Sequence, residues 1–262
     1  MNTLKQKYGD WALITGASAG IGKEFALQLA ELGFNLVLTA RRNERLTKLK
    51  EELERKYNIE VVAAPIDLLS YNYLKELISI IGNRQISLLI NNAGFGYRGE
   101  FIDGSAFNDE NMIKLNCVVP ALLTHHFVKP MIEKRRGGII FLASLVAFQA
   151  TPTTTTYSAT KVFNAFLAEG LWYELKKYNV DVLSLNPGGT ITEFQQVANS
   201  TAGPIPRTAE QVVKTALSAI GKKPSVVDGL YNKILAVSSR FISRRLTVTL
   251  AGKISELFYK KH

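Results

Sequence analysis

The sequence predicts a doubly wound α/β fold, a single parallel sheet with helices on both faces. Three observations predict it: short apolar runs alternate with stretches of helical periodicity from residue 11 onward, a glycine-rich turn joins the first run to the first helix, and the connections are short. Parallel strands need crossovers, and the intervening helices supply them. The chain has 262 residues, 47% hydrophobic and 21% charged, which suits one domain with a full core. No fixed-period repeat, low-complexity stretch or Pro/Ser linker divides it, so residues 1–262 read as one domain.

The first strand falls at residues 11–14, and the helix after it carries Ile21, Phe25, Leu29 and Leu32 on one face. The alternation repeats as strand 36–39 with helix 46–53, strand 61–66 with helix 74–81, and strand 88–90 followed by a long helix over 112–132. Strand 139–143, helix 157–175 and strand 182–185 complete the reading. Residues 192–207, polar and turn-rich with Gly203, Pro204 and Pro206, break the rhythm and read as a loop and candidate substrate lid.

Charge is uneven. The net charge is +10, and residues 222–262 hold nine bases against Asp228 and Glu256, so this region carries most of the excess. The rest is close to neutral, which argues against a nucleic-acid footprint. Within the same region Leu230, Ile234, Leu235, Phe241, Ile242, Leu246, Leu250, Ile254, Leu257 and Phe258 recur at mainly helical spacing, giving a basic amphipathic extension. Its preferred reading is an apolar face packed on the body as a pocket lid or on another subunit; the alternative is weak association with an anionic membrane surface. The lone Cys117 excludes an intrachain disulfide and reads as a buried inert thiol, and no metal site is expected. Adjacent His125 and His126 point about 100° apart on a helix and make a poor chelating pair; they read as interface or core residues. Helix 112–132 is interrupted by Asn116, Pro120, His125, His126 and Lys129 and is not a membrane span. Residues 1–10 contain no apolar h-region, so a cytoplasmic location is expected.

The segment Thr15-Gly16-Ala17-Ser18-Ala19-Gly20-Ile21-Gly22 lies between a strand and a helix, where a phosphate-binding loop belongs. Its glycines permit a tight turn and close approach to a pyrophosphate, and the helix start offers free N–H groups and a favourable dipole. Gly16, Ser18, Gly20, Ile21 and Gly22 are therefore assigned to cofactor contact, although glycines also serve ordinary turns. At the end of the second strand stands Thr39-Ala40-Arg41-Arg42, with no acid to bond a ribose hydroxyl. Arg41 is assigned to a 2′-phosphate, which favours NADP(H) over NAD(H); the bland alternative is a solvated helix lead-in.

Tyr157 and Lys161 are four residues apart on one helix face. At about 4 Å and an effective dielectric of about 20, Coulomb's law gives roughly 4 kcal/mol of phenolate stabilisation. That is enough to lower a phenol pKa by about two to three units and make Tyr157 a general acid–base. Ser144, just past strand 139–143, lies at the carboxyl edge where such sheets bind ligands, and Asn116 is a polar amide in an apolar helix that demands a partner. Their bland readings are a helix cap and a satisfied core amide.

Taken in order, TGASAGIG, Asn91-Asn92-Ala93-Gly94, Ser144, Tyr157-Ser158-Ala159-Thr160-Lys161 and Asn186-Pro187-Gly188 make residues 11–192 resemble the short-chain dehydrogenase/reductases, with a Rossmann-like fold. The resemblance implies a catalytic tetrad of Asn116, Ser144, Tyr157 and Lys161, with Lys161 also bonding the nicotinamide ribose and Asn116 holding a relay water. It further implies that Asp67 and Leu68 contact the adenine, that Asn92, Ala93 and Gly94 support the cofactor, and that Pro187, Gly188, Thr190 and Thr192 seat the nicotinamide. Assembly as a homodimer or homotetramer through helices 112–132 and 157–175 is implied as well. One departure is Ala19, where NADP-preferring relatives often carry a base, so the cofactor preference leans on Arg41. The expected function is NADP(H)-dependent hydride transfer to a ketone or aldehyde, on an apolar or acyl-chain substrate. The competing readings are a non-catalytic NADP(H)-binding sensor and a membrane-associated scaffold.

Overall fold

The structure, a computed structural model, describes residues 3–198 and 205–257. A short helix α1 (Thr3–Tyr8) precedes strand β1 (Trp11–Thr15), helix α2 (Gly20–Glu31), strand β2 (Asn35–Thr39), helix α3 (Asn43–Lys56) and strand β3 (Val61–Ala64). Next come α4 (Tyr73–Ile81), β4 (Ile86–Asn91), α5 (Ala106–Ile113), a π-helical turn (Lys114–Val118), α6 (Val119–Glu133) and β5 (Gly137–Leu142). The chain continues through α7 (Thr155–Leu175), β6 (Val180–Asn186), β7 (Thr190–Ile191), α8 (Phe194–Val197), β8 (Arg207–Thr208), α9 (Ala209–Ala219), β9 (Ser225–Val227), α10 (Leu230–Ser238) and α11 (Arg244–Leu257).

Seven strands form one parallel sheet in the order β3-β2-β1-β4-β5-β6-β9. Alternate side chains of each strand feed two cores. Ala12 and Ile14 of β1 join Phe25 and Leu29 of α2, Leu46 and Leu53 of α3, and Val212 and Ala216 of α9 on one face. Leu13 packs with Leu77 of α4, Leu123 and Phe127 of α6, and Ala168 and Leu175 of α7 on the other. Each fully buried Leu or Phe contributes about 1.5–3 kcal/mol. Because both faces are covered, β4 is buried along its whole length, with Leu88, Leu89 and Ile90 forming an apolar run between Ser87 and Asn91. The sheet order reverses between β1 and β4, which opens a crevice at their carboxyl ends.

Several sequence expectations are corrected. The third strand ends at Ala64 rather than residue 66, and the single helix expected over 112–132 is α5 and α6 joined through the π turn. Helices α1 and α9 and strand β9 were not anticipated; β9, only three residues long, adds the seventh strand beside β6, so the stretch read as an extension from residue 222 begins inside the sheet. The lid segment is bracketed by the parallel pair β7–β8 and includes α8; Gly203 and Pro204 lie outside the described residues. Arg207 at its exit donates from Nε and Nη2 to Asp228 at 2.9 and 3.3 Å, pinning the base of this segment to the end of β9.

The extension departs most from expectation. Its buried positions are small or polar, Asn232 and Ala236 on α10 and Thr247, Ala251, Gly252 and Ser255 on α11. Ser255 Oγ bonds Thr153 Oγ1 at 2.6 Å and Gly252 packs on Pro152, so α11 lies on the loop before α7. The larger side chains face outward, with Leu230 at 75% exposure, Ile234 at 60%, Phe241 at 82%, and Leu246, Leu250 and Ile254 also exposed. Among the described residues, Leu230, Ile234 and Phe241 thus do not pack on the body of the chain, while Leu246, Leu250 and Ile254 are about half covered. Phe258, Lys260 and Lys261 lie outside the described residues. Among the described residues, no helix is long and apolar enough to cross a membrane, and no group of three or more His, Cys, Asp or Glu could hold a metal ion.

Candidate active site

The glycine loop is held by Thr15. Its Oγ1 donates to the Ile90 carbonyl at 3.2 Å and accepts from the N–H groups of Asn92 and Ala93 at 3.0 and 2.9 Å, while Asn92 Nδ2 donates to the Thr15 carbonyl at 2.8 Å. The turns after β1 and β4 are thereby locked together at the sheet's reversal point. Gly16 sits at φ +67°, and a Cβ there would come 2.9 Å from Asn92 Nδ2, so only glycine fits. Ala19 begins α2 with no side-chain cap, which leaves the first-turn N–H groups of the helix without the partner that Ser, Thr or Asp would supply. A pyrophosphate is the acceptor such a turn suits, and these residues fit a nicotinamide dinucleotide.

Arg42, not Arg41, is the guanidinium tied to this loop. Its Nε and Nη2 donate to Ser18 Oγ at 3.2 and 3.0 Å, and its Nη1 donates to Glu193 at 2.8 Å. Arg41 is exposed beside it. Arg45, one turn along α3, also donates to Glu193, at 2.6 Å, and the two guanidinium groups hold that carboxyl below its ordinary range. The sequence reading assigned Arg41 and did not anticipate Glu193, the acid that faces Arg42 and Arg45.

The groups expected to handle protons meet at the carboxyl edge of β5. Lys161, 4% exposed, donates from Nζ to the Leu142 carbonyl at 2.8 Å and lies 5.5 Å from the centre of the Tyr157 ring. Ser144 follows β5 and donates to the Pro187 carbonyl at 3.5 Å. The lowered phenol pKa expected from the Tyr157–Lys161 spacing is not what the protein groups produce. Burial raises the Tyr157 phenol well above its usual value, and a hydrogen bond with Ser144 opposes only part of that rise. Burial likewise pushes Lys161 down to about 8, with the Cys117 thiol a smaller opposing influence. Desolvation therefore sets the direction of both shifts at this site. The thiol of Cys117 is buried and raised to about 11, in keeping with an inert side chain.

Asn116 is 1% exposed and sits in the π turn. Its Oδ1 accepts from Phe95 N–H at 3.1 Å, and its Nδ2 donates to the Phe95 carbonyl at 2.9 Å and to Thr160 Oγ1 at 3.0 Å. The side chain thus behaves as the satisfied core amide, bridging the loop after β4 to α7. Gly94 makes room for this bridge: a Cβ there would lie 2.8 Å from Asn116 Oδ1 and 3.8 Å from Lys161 Nζ.

The remaining assigned residues divide. Asp67 is exposed past β3 and accepts from Leu69 N–H at 3.0 Å, while Leu68 is buried in the core. Pro187, Thr190 and Thr192 line the strand ends beside Ser144 and Gly20: the Pro187 carbonyl accepts from Leu145 N–H at 2.8 Å, and Thr192 Cγ2 lies 3.1 Å from where a Gly20 Cβ would stand. Gly188 is needed for packing, since its Cβ would meet the Asn232 side chain of α10. Sequence reasoning missed Phe194, whose ring lies 5.6 Å from that of Tyr157, and Gly96, which fits between these two rings. Only the chain's return through α8 brings Phe194 there, so nothing local announced it. His125 and His126, read as interface or core residues, are exposed and outside the core.

With this geometry in view, the short chain dehydrogenase family model matches residues 10–203. The chain belongs to the short-chain dehydrogenase/reductase family of NAD(P)(H)-using oxidoreductases. It is similar to a 7beta-hydroxysteroid dehydrogenase of Mediterraneibacter gnavus, 31% identical over 88% of this chain and 90% of the relative. It is also similar to very-long-chain 3-oxoacyl-CoA reductase-B of Danio rerio, 34% identical over 81% of this chain and 69% of the relative. A short-chain dehydrogenase from Sphingobium yanoikuyae in complex with NADPH superposes with a TM-score of 0.79, at 29% identity over 88% of this chain and 93% of that one.

Proposed function

We propose that this protein is an NADP(H)-dependent carbonyl reductase or alcohol dehydrogenase acting on an apolar ketone or alcohol. The observation that carries the reading is the convergence of Ser144, Tyr157 and Lys161 at the carboxyl edge of β5, beside the crevice whose far wall is the glycine loop. The dinucleotide supplies hydride when bound. Ser144 holds the substrate oxygen, and Tyr157, kept protonated by burial, donates its proton to that oxygen. Lys161, charged below about pH 8, lies close enough to stabilise the phenolate left behind. Phe194 covers the tyrosine and excludes water from the transfer. Arg42 supports the choice of NADP(H), as does the NADPH bound by the Sphingobium relative. The steroid and very-long-chain acyl relatives support an apolar substrate.

The test follows NADPH absorbance with steroid ketones, 3-oxoacyl thioesters and simple aldehydes, alongside NADPH binding by fluorescence. Turnover that disappears in Tyr157→Phe while binding persists supports the enzyme reading. Tight NADPH binding without turnover of any carbonyl would favour a sensor instead.

A further inference from the structure

Among the described residues, Glu193 is the one carboxylate joined to both Arg42 and Arg45, at 2.8 and 2.6 Å, and it stands between two residues that touch the two halves of the site. Thr192 before it packs over Gly20 of the phosphate loop, and Phe194 after it packs on the Tyr157 ring. Arg42 meanwhile donates from Nε and Nη2 to Ser18 of that loop. One nitrogen of each guanidinium, Nη1 of Arg42 and Nη1 of Arg45, is therefore already engaged by an acid from the lid segment. From these contacts we propose that Glu193 is a specificity-determining latch: its carboxylate competes with the cofactor's 2′-phosphate for Arg42 and Arg45, and its displacement frees residues 190–198.

The inference rests on the NADP(H) reading and deepens it. For Arg42, Arg45 and Glu193 taken by themselves, charge counting favours exchange over co-occupancy. Two guanidinium groups and one carboxylate leave the cluster one charge positive. A phosphate monoester of about −1.5 to −2 charge would make it negative with Glu193 in place and near neutral without it. Exchange is energetically accessible because all three side chains are 45–47% exposed, and exposed ion pairs contribute roughly 0–1 kcal/mol. The phosphate brings more charge and three acceptor oxygens to the same donors. A cofactor with only a 2′-hydroxyl offers no such competitor and leaves the latch engaged. The cofactor's adenosine end is thereby coupled to the segment that carries Phe194, and so to the surroundings of Tyr157.

Two nucleotides without a nicotinamide isolate the effect: 2′,5′-ADP, which carries the 2′-phosphate, and 5′-AMP, which lacks it. Titration calorimetry of the full chain should show Glu193→Gln tightening 2′,5′-ADP by about 3- to 5-fold and changing 5′-AMP by less than about 2-fold. Amide hydrogen exchange across 190–198 should accelerate in the wild type with 2′,5′-ADP and not with 5′-AMP. In Glu193→Gln it should be fast already and insensitive to either. If 2′,5′-ADP outbinds 5′-AMP but Glu193→Gln leaves its affinity unchanged or weaker, the latch is wrong and the NADP(H) reading survives. If neither protein prefers 2′,5′-ADP to 5′-AMP, the NADP(H) reading fails and takes the latch with it.

Discussion

At the scale of single residues, chemistry at this site is decided by burial more than by pairing. Tyr157 is held protonated and Lys161 is held near the edge of ionisation, both because the carboxyl edge of β5 is shielded from water. Tyr157→Phe removes the proton and almost no volume, so kcat for carbonyl reduction should fall by about 10²- to 10⁴-fold with NADPH affinity retained. Loss of the Lys161 charge should make reduction decline as pH rises through about 8, and a kcat–pH profile on a slow substrate reads this directly. The effect on stability has the opposite sign. Lys161 titrates at about 8 in the folded chain against 10.5 for the free side chain, so between those values the unfolded chain binds more protons and stability contributed by this group rises with pH. Urea unfolding of the wild type and Lys161→Met across that window separates this contribution from other titrations.

Among the elements, the π turn at Lys114–Val118 matters most to the site, because it presents Asn116 to the loop after β4. A π turn places one extra residue in the ladder, a common device at functional positions. Asn116→Leu would strand the N–H and carbonyl of Phe95 in a dry setting. It should cost about 2–4 kcal/mol in urea denaturation, and should also disturb Lys161 through Gly94 and Thr160. Asn116→Leu with normal stability would show that the amide bridge contributes nothing. The lid segment is a contrasting element, pinned at its base by Arg207 and Asp228 and farther along by the exposed ion pairs of Glu193 and the packing of Phe194 on Tyr157.

For the whole molecule, two outward apolar surfaces lack a partner among the described residues. One runs along α5, α6 and α7 as a groove of about 690 Å³ lined by Ile113, Val118, Leu122 and Phe163. These are the helices from which the family resemblance implies oligomers, and we propose a homodimer here. Leu122→Asp combined with Phe163→Asp should shift the sedimentation coefficient to that of a monomer, a weakening of at least about 10-fold. The other surface is the outer face of α10 and α11, where Leu246, Leu250 and Ile254 are flanked by Arg245 and Lys253. We propose that it meets an anionic bilayer. Co-sedimentation with phosphatidylglycerol vesicles, reduced by Leu250→Ser with Ile254→Ser, checks this; equal recovery with neutral and anionic vesicles counts against it.

The sheet, the glycine loop and the Tyr157–Lys161 pair were legible in the amino-acid order because each is local. Strand and helix periodicities lie within a dozen residues, the loop needs only its glycines, and four residues on a helix share a face whatever surrounds them. What escaped was everything set by distant segments. Strand β9 is too short to carry a period, and Glu193 meets Arg42 only because the chain returns some 150 residues later to the strand end it left. The direction of the pKa shifts also depended on the fold. A sequence shows that a cation is near a phenol, but how much water reaches the two is decided by packing, and at this site the loss of that water raises the phenol and lowers the ammonium.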